Sequence, residues 1–222
     1  MAGALGELAE TLRFWRDLGV DTLPLEGDYL LTPAETLRRQ EQALQNCRRC
    51  KLCEGRTRVV FGSGNPTAEL VVIGEGPGAD EDAQGLPFVG RAGQLLTKML
   101  ASVNLSRETD CFITNAVLCR PPGNRNPEPD ELAACAPFLA DKLAVIQPKV
   151  VLALGSVATQ ALLRTKEAIG KLRGRVHPYG DAVLIPTFHP AFLLRNPGPE
   201  YKRMAWEDLK LARREYDKRR TR

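Results

Sequence analysis

Four short apolar runs, separated by longer amphipathic stretches, constrain the fold of this chain more than any other sequence feature. They span Leu70–Gly74, Phe112–Val117, Val150–Gly155 and Ala182–Phe188. Runs of this length that alternate with helical stretches are typical of parallel strands joined by crossover helices. We therefore predict an α/β fold, a three-layer sandwich in which helices flank a central, mainly parallel four-stranded sheet.

The helical stretches of this pattern follow the strands along the chain. We predict helices over Gly90–Ser102, Pro129–Ile146, Ser156–Arg164 and Glu200–Arg219. Proline lacks a backbone N–H, so Pro137 is expected to interrupt the second of these helices. Ser156 follows a strand directly and is a good N-cap for the third.

The first 45 residues are predicted to form a helical extension that precedes a domain over residues 46–222. Apolar residues near positions 4–18 recur at helical spacing, and residues 21–33 contain two prolines and a glycine, which is typical of a linker. A second helix is expected from Ala34 to about Asn46, with Pro33 at its start. The extension carries no recognisable chemistry.

Composition limits the class of protein. The apolar share of 43% is ordinary for a globular protein, and no run approaches the ~18 apolar residues of a membrane span. The N-terminus mixes acidic residues into its apolar positions, unlike a secretory signal, so we expect a cytoplasmic protein without a membrane. The basic segment from Lys202 onward suits a phosphate backbone, although a solvated amphipathic helix explains it equally well.

The chain has six cysteines, and a reducing cytoplasm does not favour disulfides. Cys47, Cys50 and Cys53 form a tight cluster, and Cys119 and Cys135 follow much later. This spacing favours metal or iron–sulfur ligation. From the residues alone, a ferredoxin-like run and a four-thiolate zinc site both remain possible ligand sets.

Polar residues follow the predicted strands at their carboxyl ends, where open α/β sheets bind ligands. These residues are Glu75 and Gly76, Asn115, Gly155 and Ser156, and His189. His177 precedes the last strand and is expected at the opposite edge of the sheet. His189 is therefore the candidate functional histidine, with a structural role as the alternative.

The loop Gly74–Gly78 formally matches a loose dinucleotide-binding fingerprint. Pro77 removes one N–H donor, and the acidic residues Glu75 and Asp80 lie close by. At an effective dielectric constant of ~20, a like charge at ~4 Å costs on the order of 4 kcal/mol, so a pyrophosphate would be repelled. We expect no nucleotide cofactor. The loop suits a flat neutral ring, and nearby Phe88 is either a stacking platform or a core residue.

Three motifs together resemble family 4 of the uracil-DNA glycosylase superfamily. The first is Gly74–Gly78 followed by Pro87–Gly93, and the second contains Thr114, Asn115, Cys119, Arg120, Pro121, Pro122, Asn124 and Arg125. The third is the loop His189–Pro197. With the cysteine spacing, the resemblance covers about Cys47 to Arg213 in the expected order.

The resemblance implies a structural four-iron–four-sulfur cluster with the ligands Cys47, Cys50, Cys119 and Cys135. Cys53 and Cys111 match no ligand position of the family.

The resemblance also implies an activity: monofunctional hydrolysis of the N-glycosidic bond of uracil in single- and double-stranded DNA, which leaves an abasic site. The target base must leave the duplex to react. Phe88 would stack on uracil, the Asn115 amide would read its polar edge, and Gly74 and Gly76 would form the pocket floor. Glu81 is the candidate wall against the methyl group of thymine.

For the chemistry, the resemblance implies that His189 hydrogen-bonds the departing uracil anion and that Glu75 stabilises the sugar cation or positions water. Asn124 would orient water or the base. Leu193 would wedge into the duplex and Arg195 would contact phosphate, with core packing as the alternative for Leu193 or Leu194.

The chain differs from related proteins at two positions, and two alternative functions accompany the resemblance. Better-known members of the superfamily have an aspartate where this chain has Gly76, and many family 4 members have a glutamate at Ala79. A non-catalytic DNA-binding module of the same fold is one rival, and a glycosylase for other deaminated bases such as hypoxanthine is the other. We expect a monomer that acts on uracil-containing DNA.

Overall fold

A computed structural model of the chain describes residues 31–220, together with Arg13, Arg16 and Asp17. Apart from Arg13, Arg16 and Asp17, the helix predicted near residues 4–18 lies outside these described residues, as does most of the linker predicted at 21–33. The chain divides into two units, Met1–Thr32 and Pro33–Arg222, and all the elements below belong to the second. The predicted extension over residues 1–45 remains a prediction, although its second helix belongs to this unit.

A six-stranded sheet forms the centre of the structure, in the order β1-β3-β2-β4-β6-β5. The strands are β1 (Ser63–Gly64), β2 (Leu70–Gly74), β3 (Cys111–Asn115), β4 (Val150–Leu154), β5 (His177–Tyr179) and β6 (Ala182–Thr187). The inner four are parallel and coincide with the predicted apolar runs. The predicted count of four is corrected by β1 and β5, which pair antiparallel at the two edges. These strands are too short and too exposed to produce an apolar run.

Eight α-helices of the described residues surround the sheet. They are α1 (Pro33–Leu44), α2 (Ala79–Gln84), α3 (Arg91–Ala101), α4 (Pro129–Ile146), α5 (Gly155–Leu163), α6 (Ile169–Leu172), α7 (Pro190–Arg195) and α8 (Pro199–Arg219). Short 3₁₀ helices occur at Lys51–Cys53 and Pro122–Asn124.

Two predicted details of the helices are wrong. Pro137 does not interrupt α4, which runs through it for 18 residues. Buried residues on both sides of the proline, Cys135 and Leu139, hold the helix against the core and offset the lost hydrogen bond. Ser156 is not the N-cap of α5, because the helix begins one residue earlier and Leu154 occupies the cap position.

Two hydrophobic cores lie on opposite faces of the sheet. Successive strand residues point to opposite faces, so β2 sends Leu70 and Val72 to one core and Val71 and Ile73 to the other. The first core is completed by α3 and α8 through Leu96, Leu100 and Leu209. The second is completed by α1, α4 and α5 through Leu37, Leu139 and Ala158. This arrangement confirms the predicted helix–sheet–helix layers.

The chain changes direction across the sheet at β2. It leaves β2 for β3 on one side and then returns to the other side of β2 to form β4. Such a reversal opens a crevice beyond the carboxyl ends of the strands, where ligands of open α/β sheets bind. In the part of the chain that the structure describes, no helix is long and apolar enough to cross a membrane.

A buried ion pair connects α8 to the segment that follows α6. Arg173 Nε donates to Asp208 Oδ2 at 2.9 Å, and Nη2 donates to Asp208 Oδ1 at 2.6 Å. Arg173 Nη2 also donates to the Met204 carbonyl oxygen, and its guanidinium lies 5.3 Å from the Phe188 ring centroid. Asp208 is fully buried, and Arg173 is the cation that pairs with its carboxylate.

We predict that Arg173→Met lowers the free energy of unfolding by about 3–5 kcal/mol, because it leaves the buried Asp208 carboxylate unpaired. Urea denaturation followed by circular dichroism measures the change. The double variant Arg173→Met/Asp208→Leu should recover most of the loss, since it removes the buried charge as well. Equal destabilisation in both variants would contradict the role of the ion pair.

Candidate active site

A cavity of about 760 Å³ lies beyond the carboxyl ends of the parallel strands. Eight of the residues predicted for the site line it: Glu75, Gly76, Glu81, Phe88, Asn115, Asn124, His189 and Arg195. They follow three different strands, so the parallel register brings together residues that are far apart in sequence. Two others, Gly74 and Leu193, lie outside the lining.

Asn115 presents a buried polar group to this cavity. Its side chain is 1% exposed, and its Oδ1 atom has no hydrogen-bond partner. A buried acceptor without a partner is costly, which favours a ligand that donates to it. Gly74 lies beside Asn115 in the sheet, and a Cβ at Gly74 would come within 2.4 Å of Asn115 Oδ1 and 2.5 Å of Phe88 Cζ. Gly74 therefore supports the pocket by leaving room for both side chains.

Phe88 forms one wall of the cavity in a backbone conformation that is unusual for its residue type. Its φ is 54°, in the left-handed region that costs a non-glycine residue on the order of 1–2 kcal/mol. Its ring centroid lies 5.8 Å from that of His189. Phe88 is 5% exposed and also belongs to a hydrophobic core, and its role as a stacking platform remains a prediction.

Arg107 holds Phe88 in this conformation, and sequence reasoning missed it. Its Nη1 atom donates to the Phe88 carbonyl oxygen at 2.8 Å, and Nη2 donates to the Pro87 carbonyl oxygen at 2.9 Å. Gly93 packs so close to the Phe88 carbonyl that a Cβ would overlap it. No sequence signal distinguishes Arg107 from other loop arginines, because the Phe88 and Pro87 carbonyls that it binds are backbone atoms 19 and 20 residues away.

Glu81 fastens the two loops of the first motif together. Its Oε1 atom accepts hydrogen bonds from the Val89 and Gly90 amides, both at 2.9 Å. Its Oε2 atom accepts from the Gly78 amide at 3.1 Å. Glu81 therefore fixes the position of the Phe88 loop relative to the Gly74–Gly78 loop. Its predicted role as a wall against a methyl group remains a prediction.

His189 has a defined tautomer in its neutral form. The Ala191 amide donates to Nδ1 at 3.1 Å, so Nδ1 carries no proton and the neutral ring carries its proton on Nε2. Burial and, to a lesser extent, the charge of Arg195 lower the pKa of His189 from 6.5 to about 4. At neutral pH the ring is an uncharged hydrogen-bond donor.

Glu75 and Asn124 lie at the rim of the same cavity. Burial raises the pKa of the Glu75 carboxyl above its usual value, while the nearby Arg195 opposes the shift. Asn124 belongs to the second motif, and its Oδ1 atom accepts from Arg120 Nε at 2.8 Å. The two side chains bring a carboxylate and an amide to one cavity from the loops after the neighbouring strands β2 and β3.

Leu193 does not occupy the position predicted for a DNA wedge. It is 2% exposed and packs in the hydrophobic core beside Phe188. Its neighbour Leu194 is 39% exposed. The segment is a turn of helix, in which successive side chains point about 100° apart, so one leucine faces the core and the next faces outward.

His177 also lies in an unexpected place. It is on the edge strand β5, level with Leu184 of β6, and not beyond the opposite end of the sheet. Its Nε2 atom is 2.8 Å from the Leu172 carbonyl oxygen. An antiparallel edge strand had not been predicted, and this strand brings His177 back along β6.

Four cysteines line a second, smaller cavity on the face of the sheet that carries the second hydrophobic core. They are Cys47, Cys50, Cys119 and Cys135. Burial raises the pKa of the Cys119 thiol to about 11, although Arg56 Nη1, 3.3 Å from its Sγ, opposes the shift. Cys53 and Cys111 do not line this cavity. Among the described residues, no three histidine, cysteine or acidic side chains are grouped closely enough to hold a single metal ion.

Lys142 connects the helix of Cys135 to the strand of Asn115. It is fully buried on α4, two turns after Cys135, and burial lowers its pKa to about 7. Its Nζ atom donates to the Phe61 carbonyl oxygen at 2.5 Å and to Thr114 Oγ1 at 3.0 Å. Thr114 directly precedes Asn115, so a hydrogen bond joins the helix that carries Cys135 to the strand that carries Asn115.

Comparison with known proteins agrees with this geometry. The family model of the uracil DNA glycosylase superfamily matches residues 61–210. The chain belongs to the type-4 family of this superfamily. A type-4 uracil-DNA glycosylase of Thermotoga maritima is 43% identical over 186 residues, which are 83% of this chain and 96% of that protein.

Two further relatives are similar over most of the chain. A type-4 uracil-DNA glycosylase of Saccharolobus solfataricus is 46% identical over 69% of this chain and 75% of its own length. One of Sulfurisphaera tokodaii is 38% identical over 81% of this chain and 84% of its own length. The family predicted from the three motifs is therefore confirmed.

We predict that His189 is an Nε2–H tautomer at neutral pH and accepts a proton only near pH 4. Long-range ¹H–¹⁵N NMR correlations of the imidazole nitrogens measure both properties. Between pH 6.5 and 4 the unfolded chain binds a proton that the folded protein does not, so His189 reduces stability as the pH falls. Arg195→Gln should raise the midpoint, because it removes a nearby positive charge. A midpoint near 6.5 would contradict this assignment.

Proposed function

We propose that this protein hydrolyses the N-glycosidic bond of uracil in DNA and leaves an abasic site. The observation that carries the proposal is the buried Asn115 amide, whose Oδ1 atom has no partner in a cavity shared with Phe88 and His189. Uracil offers an N3–H donor beside an O4 acceptor, and an amide matches both. Cytosine reverses this pattern and would meet two mismatched groups.

Binding requires that the uracil leave the base stack and enter the cavity. Phe88 then stacks against the ring, and the absence of side chains at Gly74 and Gly76 lets the ring approach the loop backbone. Arg107 and Glu81 act through Phe88, because they hold its loop in place before the base arrives. Glu81 remains the candidate for excluding the methyl group of thymine.

Bond cleavage places negative charge on uracil and positive charge on the sugar. The Nε2–H group of neutral His189 donates to O2 of the departing uracil and stabilises its charge. Its proton is held in place because Nδ1 is occupied by the Ala191 amide. Glu75 stabilises the sugar cation or positions water, and Asn124 orients the water or the base.

The DNA backbone and the gap in the stack need further contacts. Arg195 lines the cavity and supplies positive charge for a phosphate. The exposed Leu194 replaces the predicted Leu193 as the side chain able to enter the duplex, because only Leu194 is accessible. Uracil-containing DNA is the proposed partner. A monomeric state and a cytoplasmic location stay predictions.

We also propose that Cys47, Cys50, Cys119 and Cys135 hold a four-iron–four-sulfur cluster. The donors fit, because four thiols from three separate segments line one cavity and Arg56 offers positive charge beside Cys119. Thiolates are the usual ligands of such clusters. When bound, the cluster supplies a crosslink and no redox step, because glycosidic hydrolysis transfers no electrons. The segment before β1, the segment after β3 and α4 would thereby be fixed to one another.

We predict that the purified protein releases uracil from U·G, U·A and single-stranded oligonucleotides, detected as strand breaks after alkali treatment. Asn115→Leu should lower kcat/KM by on the order of 100-fold or more, because the uracil edge loses its hydrogen bonds. Asn46→Leu, the same exchange at an exposed position outside both cavities, should change nothing. Hypoxanthine and T·G oligonucleotides test the rival substrates. No abasic sites from any uracil substrate would refute the proposal.

For the cysteine cavity, we predict a brown protein with about four iron and four sulfide per chain. Cys135→Ser should lose iron and unfold at a lower temperature, because one ligand and its crosslink are removed. Cys53→Ser and Cys111→Ser are matched controls that should keep the full iron content. Metal analysis measures these outcomes, and stoichiometric zinc in place of iron would refute the cluster.

A further inference from the structure

The cavity contains an aromatic region that the proposed uracil-binding groups do not use. We define this aromatic lobe by Phe188, Phe192, Tyr201 and Met204, all of which line the cavity. The Phe188 and Phe192 rings stack with their centroids 5.1 Å apart. The Tyr201 ring meets both edge-on, at 5.5 Å from Phe188 and 5.1 Å from Phe192.

The lobe lies at the other side of the cavity from the base-reading amide. Asn115 is the last residue of β3 and Glu75 follows β2, whereas the lobe belongs to the end of β6 and to α7 and α8. In the sheet, β4 separates β2 from β6. The lobe and the amide therefore belong to different parts of one continuous space.

The size of the cavity exceeds what one uracil ring needs. A volume of about 760 Å³ is typical of pockets that enclose drug-sized ligands, which are several times larger than a pyrimidine. Most of its wall is apolar, including Ile169 and Val157 as well as the lobe. The space beyond the uracil site therefore suits a second flat, largely apolar group.

Charge around the lobe indicates that this second group is part of an anion. Tyr201 is 37% exposed, so solvent reaches its side chain. Arg195 lines the same cavity. Aromatic side chains flanked by basic residues are the combination that binds unpaired nucleotides, because bases stack on the rings while phosphates meet the cations.

We propose that the aromatic lobe is a stacking site for the base of the nucleotide next to the uracil in the same strand. The inference rests on the proposed uracil excision, since the first base must occupy the Asn115 side of the cavity. Phe188 is 7% exposed and lies between Phe192 and Arg173, so the accessible ring surface of the lobe belongs to Phe192 and Tyr201. These rings require no hydrogen-bonding pattern. The lobe therefore accepts any of the bases.

The second site matters most for single-stranded DNA. In a strand without a complement, the neighbouring base is free to leave its stack. In a duplex, the same movement requires breaking a further base pair, which costs free energy. The lobe therefore strengthens binding of single strands more than binding of duplexes.

The test measures binding of single-stranded oligonucleotides that carry a cleavage-resistant 2′-fluoro-deoxyuridine, by fluorescence anisotropy. Tyr201→Ala should weaken binding about 10-fold, or about 1.4 kcal/mol. Tyr201→Phe keeps the ring and should bind like the unmodified protein. Trp206→Ala is the matched control, because Trp206 is an exposed aromatic residue on the same helix that does not line the cavity.

A second set of oligonucleotides identifies the occupant. The nucleotide 5′ of the uracil analogue is replaced by an abasic analogue in one oligonucleotide, and the nucleotide 3′ of it in another. One of these two replacements should weaken binding by the unmodified protein. On that oligonucleotide, Tyr201→Ala should cause no further loss. Tyr201→Ala should reduce the affinity for a duplex less than it reduces the affinity for the single strand. Circular dichroism verifies that each variant is folded, and Tyr201→Leu replaces Tyr201→Ala if the smaller side chain unfolds the protein.

Two outcomes separate the second site from the proposed function. Suppose that the unmodified protein releases uracil, and that Tyr201→Ala or Tyr201→Leu loses the same binding affinity for oligonucleotides with and without the neighbouring base. The stacking site is then refuted and uracil excision stands. Full affinity in these variants refutes it as well. If the unmodified protein releases no uracil, the proposed function fails, and the second site fails with it.

Discussion

The parallel pairing of β2 with β3 is the interaction on which the rest of the site depends. It aligns Gly74 with Asn115 at the carboxyl end of the sheet. Because Gly74 has no side chain, the Asn115 amide and the Phe88 ring share the space next to it. A shift of one residue in this register would turn Asn115 to the other face of the sheet. The neighbouring strands β4 and β6 extend the same edge and bring His189 to the opposite wall.

The pocket is prepared before a ligand arrives. Phe88 is held at a positive φ by Arg107, and the loops on either side of it are joined through Glu81. His189 is held as a neutral donor by the Ala191 amide and by burial. Groups fixed in this way need no rearrangement when charge develops on a departing base, which is the condition under which hydrogen bonds contribute most to catalysis.

A hydrogen bond joins a helix that lines the cysteine cavity to a strand that lines the larger cavity. Lys142 lies on the helix of Cys135 and donates to Thr114, which precedes Asn115. A group held by the four cysteines would therefore stabilise the strand that carries the base-reading amide.

The apolar runs and the order of the motifs determined the four inner strands, the layers, the family and eight of the residues that line the cavity. They could do so because periodicity and strand ends are local properties of the sequence. Only the tertiary structure decided the features that depend on contacts between residues distant in sequence. Leu193 faces the core and Leu194 faces outward, because the segment is helical. The edge strands β1 and β5 form only by pairing with longer neighbours. Arg107 acts on backbone atoms distant in sequence, and the aromatic lobe exists only because α7 and α8 meet beside β6.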